Sequence, residues 1–286
     1  MAAAFVFTGA LVGGLPIQLG LMAIFPDGRK SLADQPFLAG LATALILVGA
    51  FGAALVLLWG WLKWVEKRPF WTLGFERDGA LMKYGRGILV GLAMFVASLG
   101  LSAALGYIAP ETVNPQREGW AALGGVLIIF LGWMMQGAAE ETLMRGWLMS
   151  VVGARYRPWI GVLVSSLVFA ILHGLNPNIS LLPLINLFLF GIFAALYALW
   201  EGGLWGIAAQ HAAWNWVQGN LFGMEVSGSG GGPILLNLQE TEPDLITGGA
   251  FGPEGGLAVT AMLIIAIAAL AALQARKSLA ASVLQS

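Results

Sequence analysis

The amino-acid sequence predicts an all-α fold, a polytopic transmembrane helical bundle of about eight spans. Two observations lead to this prediction. Of the 286 residues, 58% are hydrophobic and only 10% are charged, whereas about a quarter of the residues in a soluble domain are charged. In addition, eight apolar stretches come near the length of about 20 residues that a helix needs to cross a bilayer.

These stretches cover residues 5–25, 38–64, 86–108, 122–150, 159–174, 182–200, 203–222 and 257–275. The first lacks the positively charged start of a cleaved signal peptide, so we expect it to remain in the protein as a span. The fifth is short, which leaves seven spans as an open alternative.

Basic residues of the short loops predict a cytoplasmic N-terminus, because lysine and arginine collect on the inner side. With this orientation Arg29, Lys30 and Arg117 lie outside, and the inner segments hold the larger set: Lys63, Lys67, Arg68, Arg77, Lys83, Arg86, Arg155, Arg157, Arg276 and Lys277. Loop 65–85 is charged and aromatic, so it suits an amphipathic segment at the inner interface, anchored by Phe70, Trp71 and Phe75, or a plain linker.

Segment 223–256 is the main non-helical region. It is rich in glycine and carries five acidic residues but no basic one, which suits an outer, re-entrant or surface loop. We expect the run "GSGGG" at 228–232 to be a flexible connection.

Composition also excludes several functions. A net charge of −1 without a basic patch excludes nucleic acid as a partner. The absence of cysteine excludes disulfides, thiolate metal sites and a cysteine nucleophile.

The stretch "GAAEETLMRGW" at 137–147 places three ionisable side chains in an apolar run. Each costs about 2.5 to 3.5 kcal/mol at mid-bilayer. Glu141 and Arg145 are four residues apart on a helix and can pair, whereas Glu140 points elsewhere and stays free. The alternative is that all three brace the bundle through a buried ion-pair network.

The two histidines of the chain also lie in apolar segments: His173 ends "FAILH", and His211 precedes Asn215 by one turn in "HAAWN". A desolvated glutamate beside a histidine can activate a water for peptide hydrolysis, and a second histidine with an amide can stabilise an oxyanion. The rival is zinc bound by Glu140, His173 and His211, although no HExxH spacing is present.

These residues carry a resemblance to a known family. "EETLMR" at 140–145 resembles the EExxxR motif, "FAILH" at 169–173 resembles FxxxH, and "HAAWN" at 211–215 resembles the HxxxN motif of the CAAX-protease and bacteriocin-processing family, also called CPBP or Abi. All three occur in the family's order. The resemblance covers about 120–220, and "TLGFERDG" at 72–79 and "TGGAFGPEGG" at 247–256 are similar to segments of bacterial members.

The resemblance implies an intramembrane endopeptidase like the type II CAAX prenyl proteases, a group formerly classed as metalloproteases but better explained by a metal-independent glutamate mechanism. It implies that Glu140 and His173 activate water, that His211 and Asn215 stabilise the oxyanion, and that Glu141, Arg145 and Phe169 support the site. It predicts no cofactor, with zinc left open, and a membrane-anchored peptide or protein as substrate in a bacterial inner membrane. We divide the chain into N-terminal helices (1–120), a catalytic core (121–222) and the loop with the last helix (223–286).

Two other functions stay open. Some family members serve in bacteriocin immunity or as membrane scaffolds, so a non-catalytic partner of the same fold is the first alternative. The second is a proton-coupled transporter, since glutamate and histidine in spans also form proton relays. No matching set of ionisable residues in the first half indicates an inverted repeat, which disfavours transport.

Overall fold

The computed structural model describes residues 1–25, 32, 34–111 and 118–283, and in these ranges long helices form one bundle. The helices are α1 (Ala2–Ile24), α2 (Pro36–Glu66), α3 (Ala80–Ala104), α4 (Gly119–Arg155), α5 (Pro158–Leu175), α6 (Leu181–Glu201), α7 (Trp205–Trp216) and α8 (Leu257–Val283). The predicted all-α polytopic bundle is confirmed. Arg29, Lys30 and Arg117, which the orientation argument uses, lie outside the described residues, so the orientation stays a prediction.

Seven of the described helices are long and apolar enough to cross a membrane, and α7 is the exception. The prediction of a full span at 203–222 is therefore wrong by length and composition. In this stretch the α-helix covers only Trp205–Trp216, and a short π-helix, Val217–Leu221, follows it. Every residue from Gly206 to Asn215 is buried, so α7 is enclosed by the other helices.

Helix α7 can be enclosed because its neighbours approach it through glycine. A Cβ atom on Gly87 of α3 would lie 2.0 Å from the carbonyl oxygen of Gly206, and one on Gly137 of α4 would lie 2.9 Å from that of Ala208. Aromatic packing supports the same contacts, with the rings of Phe95 and Trp214 edge to face at 5.3 Å. The polar face of α7 is thus held in the middle of the protein.

The loop between α2 and α3 packs partly onto the bundle. It contains the short helix Phe70–Leu73, in which Leu73 is buried. Phe75 stacks on Phe70 at 6.1 Å and meets Trp205 edge to face at 5.0 Å, while Trp71 is 56% exposed. Of the three expected interface anchors, Trp71 alone is strongly exposed.

The segment before α8 folds back against the bundle. Strand β1 (Ile108–Pro110) pairs in antiparallel fashion with β2 (Leu238–Glu240), and short helical turns follow at Asp244–Thr247, Gly249–Phe251 and Pro253–Gly255. The Gly228 amide donates to the Phe251 carbonyl at 2.8 Å, and Asn176, just after α5, donates to the Ser227 carbonyl at 3.0 Å. Part of the run expected to be a flexible connection therefore has fixed partners.

Candidate active site

The site is built around a local widening of α4. Regular α-helix ends at Glu141, and a π-helical stretch follows from Thr142 to Leu148. All six residues from Thr142 to Trp147 are buried, which a regular amphipathic helix does not allow because it turns one face outward. Such π turns are frequent at functional sites.

A buried ion pair between Glu141 and Arg145 forms one side of the site, here called the inner wall. Arg145 donates from Nη1 to Oε1 of Glu141 at 3.1 Å, as the spacing of four predicts, and both side chains are fully buried. The guanidinium also lies 4.7 Å from the ring centre of Phe169, within the range of a cation–π contact. The same Glu141 oxygen lies 3.0 Å from Nδ1 of His211, so one carboxylate fixes a cation and an imidazole.

Glu140 is held differently. Its Oε1 accepts a hydrogen bond from Nε2 of Gln136 at 3.2 Å, and Asn215 donates to Oε1 of that glutamine at 3.4 Å. Oε2 of Glu140 is buried without a hydrogen-bond partner among the described residues, and it lies 3.8 Å from Nε2 of His211. Oε2 of Glu140 is therefore not held by a hydrogen bond, and Glu140 does not contact Arg145 as Glu141 does.

The two histidines make unlike contacts. Nδ1 of His173 lies 2.8 Å from the carbonyl oxygen of Phe169, which can only accept, so Nδ1 carries the proton and Nε2 of the neutral ring is an acceptor. His211 faces carboxylate oxygens with both nitrogens. Nδ1 is within hydrogen-bond distance of Glu141 at 3.0 Å, whereas Nε2, at 3.8 Å from Glu140, is not.

These side chains meet at a cavity of about 450 Å³. Of the residues expected from the sequence, the cavity is lined by Glu140, Phe169, His173, His211 and Asn215, whereas Glu141 and Arg145 lie behind it. Apolar residues of α1 and α2 form another wall: Val6, Phe7, Ala10, Leu47 and Phe51. The arrangement can hold an apolar chain beside a polar cluster.

Several lining residues were missed by the sequence reasoning. Gln136 stands one turn before Glu140 in an apolar helix, so the cost of a buried amide could have drawn attention to it. Phe190, Trp133, Ser227 and Glu254 also line the cavity. No spacing pattern links Glu254 to the motifs, because it reaches the cavity from the segment before α8.

Glu254 is bound by Ser227. Both the backbone amide and the hydroxyl of Ser227 donate to Oε2 of Glu254 at 2.7 Å. Burial raises the pKa of Glu254, while the hydrogen bonds from Ser227, and the imidazoles of His173 and His211 whenever they are protonated, oppose this shift. The cavity thus contains a second carboxyl group opposite the motif residues.

The structure does not bring the candidate zinc ligands Glu140, His173 and His211 together as a metal site. No group of three or more His, Cys, Asp or Glu side chains suited to a metal occurs within the described residues. We therefore derive no step that passes through a metal.

Comparison with known proteins agrees with the motifs. Residues 122–217 match the family model described as type II CAAX prenyl endopeptidase Rce1-like. An uncharacterized 24.3 kDa protein of Escherichia coli is 35% identical over 139 residues, or 47% of this chain and 63% of that protein, so the alignment spans less than two thirds of the relative. No solved structure matches. The protein is an integral membrane protein, and its residues 122–217, which match the type II CAAX prenyl endopeptidase Rce1-like family model, carry all three motifs.

Proposed function

We propose that the protein is an intramembrane endopeptidase of the glutamate type, which hydrolyses a peptide bond in a membrane-anchored or hydrophobic substrate by means of a water activated by Glu140 and His173. The observation that carries the proposal is the unlike hydrogen bonding of the two histidines. His173 is left with an acceptor nitrogen, and His211 is set between carboxylates. The His173 ring suits a general base, and the His211 ring suits a hydrogen-bond donor.

Water activation falls to Glu140 and His173. Oε2 of Glu140 has no hydrogen-bond partner among the described side chains, and both residues line one cavity. A water between them gives up a proton as its oxygen attacks the carbonyl carbon of the substrate. The proton then passes to the amide nitrogen, the C–N bond breaks, and the products are a carboxylic acid and an amine.

His211 and Asn215 stabilise the oxyanion of the tetrahedral intermediate. The side chains are 6% and 4% exposed, so their N–H groups act where water competes little. Glu141 holds the His211 ring in place, and Arg145 neutralises Glu141. The roles that the family resemblance implies are compatible with these contacts.

The walls of the cavity support a hydrophobic substrate. Phe169 and Phe190 flank the His211 ring at 6.2 and 5.1 Å between ring centres. Side chains of α1 such as Phe7 border the same cavity. An extended peptide from the bilayer can pass between these apolar groups and place its scissile carbonyl group next to the water bound at Glu140.

The test is cleavage of quenched fluorescent peptides, with and without a farnesyl group, by protein in liposomes. Glu140→Gln should lower the rate at least about 100-fold, the usual effect of removing a general base. Glu76→Gln, at an exposed position, is the matched control and should leave the rate unchanged. Equal melting temperatures of the variants show that folding is intact.

Three outcomes separate the possible functions. Cleavage that needs Glu140 and survives a strong chelator supports the metal-free peptidase. Loss of cleavage with the chelator and its return with zinc would refute the metal-free mechanism. If wild-type protein cleaves nothing, while it and Glu140→Gln bind a membrane partner equally, the scaffold or immunity function takes its place.

A further inference from the structure

Glu254 is a residue of the cavity that the three motifs do not include. It lies on the short turn Pro253–Gly255 before α8 and lines the cavity together with His173 and His211. Both hydrogen bonds from Ser227 end on Oε2. The other oxygen, Oε1, has no hydrogen bond within the described part of the chain and is available to a bound molecule.

Two helices fix the backbone of Glu254. Asn186 of α6, which is 2% exposed, donates to the carbonyl oxygens of Glu254 and Gly256 at 2.8 and 3.0 Å. Thr260 of α8 donates to Oδ1 of Asn186 at 2.7 Å, which sets the orientation of the amide. A carboxyl group placed so firmly at a cavity wall is pre-organised for recognition.

The described lining of the cavity has no permanent cation. Its described lining residues include two carboxyl groups, Glu140 and Glu254, and two imidazoles but no lysine or arginine. The nearest guanidinium of the motif set, Arg145, is 1% exposed and is already paired with Glu141. A carboxylate brought into this cavity would meet like charges without a permanent cation to pair with.

We propose that Glu254 determines specificity: it favours substrates that place a lysine or arginine side chain beside it and disfavours those that place a carboxylate side chain there. The inference rests on the proposed peptidase function. It adds to that function a preference for a neutral or basic residue beside Glu254. Like charges in a poorly hydrated site are strongly unfavourable, and opposite charges attract.

A purely structural role for Glu254 makes a different prediction. If the side chain only clamps the loop through Ser227, glutamine at this position can still accept the two hydrogen bonds and the substrate preference stays unchanged. If its charge selects substrates, Glu254→Gln removes the preference while the fold is kept. Ser227→Ala is the complementary control, because it weakens the clamp and leaves the carboxyl group in place.

The experiment uses sets of peptides that carry lysine, glutamine or glutamate at each position around the cleaved bond, at a pH of about 8.5 to favour the ionised carboxyl group. For the wild type we expect kcat/KM to favour lysine over glutamate at one position by at least about tenfold, mainly through KM. Glu254→Gln should bring this ratio close to one at that position alone, and Ser227→Ala should keep it. A ratio that is the same in wild type and Glu254→Gln overturns the proposal.

Binding to the Glu140→Gln variant separates this inference from the peptidase function. Labelled lysine and glutamate peptides are titrated by fluorescence anisotropy, and the same preference is expected in Kd. If the wild type cleaves nothing, while Glu140→Gln still binds the lysine peptides preferentially and the double variant Glu140→Gln, Glu254→Gln loses that preference, the peptidase is refuted and the charge selection stands. Cleavage without charge preference would refute the charge selection alone.

Discussion

Replacement of Arg145 by methionine tests the buried ion pair. The expected change in the free energy of unfolding depends on the Glu141 carboxylate, which stays buried without its partner. Arg145→Met leaves the Glu141 carboxylate with no cation but His211, at a position where both side chains of the pair are fully buried. Breaking a buried pair from one side costs about 3 to 5 kcal/mol. The variant should lose that much free energy of unfolding.

A second substitution should restore most of this loss. In the double variant Glu141→Gln, Arg145→Met no uncompensated charge is buried, and the amide oxygen can still accept from Nδ1 of His211, which lies 3.0 Å from the carboxylate. Neutral replacement of a whole buried pair is often close to neutral in stability. The double variant is therefore expected to be more stable than Arg145→Met alone.

The assay is equilibrium unfolding in mixed detergent micelles with increasing dodecyl sulfate, followed by circular dichroism. Arg155→Met, an exposed arginine near the end of α4, is the control for loss of an arginine and should change the free energy of unfolding by less than about 0.5 kcal/mol. A double variant as unstable as Arg145→Met, or less stable, would refute the reasoning. It would mean that packing of the guanidinium on Phe169, rather than neutralisation of Glu141, holds this wall.

Three further predictions concern positions outside the cavity. Burial, aided by neighbouring carboxylates, raises the pKa of Glu240 from 4.5 to about 8. The folded state therefore binds this proton more tightly than the unfolded state, and the stability that the proton adds is lost as the pH rises through about 8. Glu240→Gln should flatten the fall in melting temperature from about pH 6 to about pH 9. Gly87→Ala would place Cβ 2.0 Å from a carbonyl of α7 and should cost at least about 1 to 3 kcal/mol, whereas Gly100→Ala, which meets nothing within 4 Å, should leave the melting temperature equal or higher. Glu66 accepts a hydrogen bond from Nε1 of Trp147 at 2.6 Å. Glu66→Gln keeps an acceptor oxygen but removes the charge, so it should lower the free energy of unfolding by about 1 kcal/mol, the difference between a hydrogen bond to a charged group and one to a neutral group. An unchanged unfolding curve would contradict that estimate.

The sequence predicts the apolar helices well because the cost of exposing polar backbone in a bilayer leaves few alternatives. It fails at α7 for a related reason. Gln210, His211 and Asn215 lower the hydropathy of a helix that touches mainly protein, and apolar length alone does not distinguish a span from a helix enclosed by spans. The close approach of α3, which Gly87 allows, depends on a contact between distant segments that a single sequence does not display.

Spacing alone predicts contacts only between residues of one helix, whereas the motif resemblance grouped Glu140, His173 and His211 from α4, α5 and α7, which line one cavity. Spacing places Glu141 and Arg145 on one face and separates Glu140 from them, and the observed contacts agree. The position of Glu254 could not be reached this way. Its placement depends on Asn186 and Ser227 from other segments, and tertiary contacts of this kind have no local period in the sequence.

The bracing and catalytic interpretations of the three ionisable residues in α4 are parts of one arrangement. Arg145 neutralises Glu141, and the same carboxylate also contacts His211. The buried pair therefore stabilises this part of the site and orients the His211 ring at the cavity. Glu140 differs by a rotation of about 100 degrees along the helix. Both glutamates have an Oε2 atom without a hydrogen-bond partner among the described residues, but Glu140 lines the cavity and Glu141 does not. A desolvated carboxylate oxygen is costly to keep unpaired. The two adjacent glutamates therefore have different roles. Glu140 presents a carboxylate oxygen to the cavity, and Glu141, through Arg145 and His211, fixes the side chains around that oxygen.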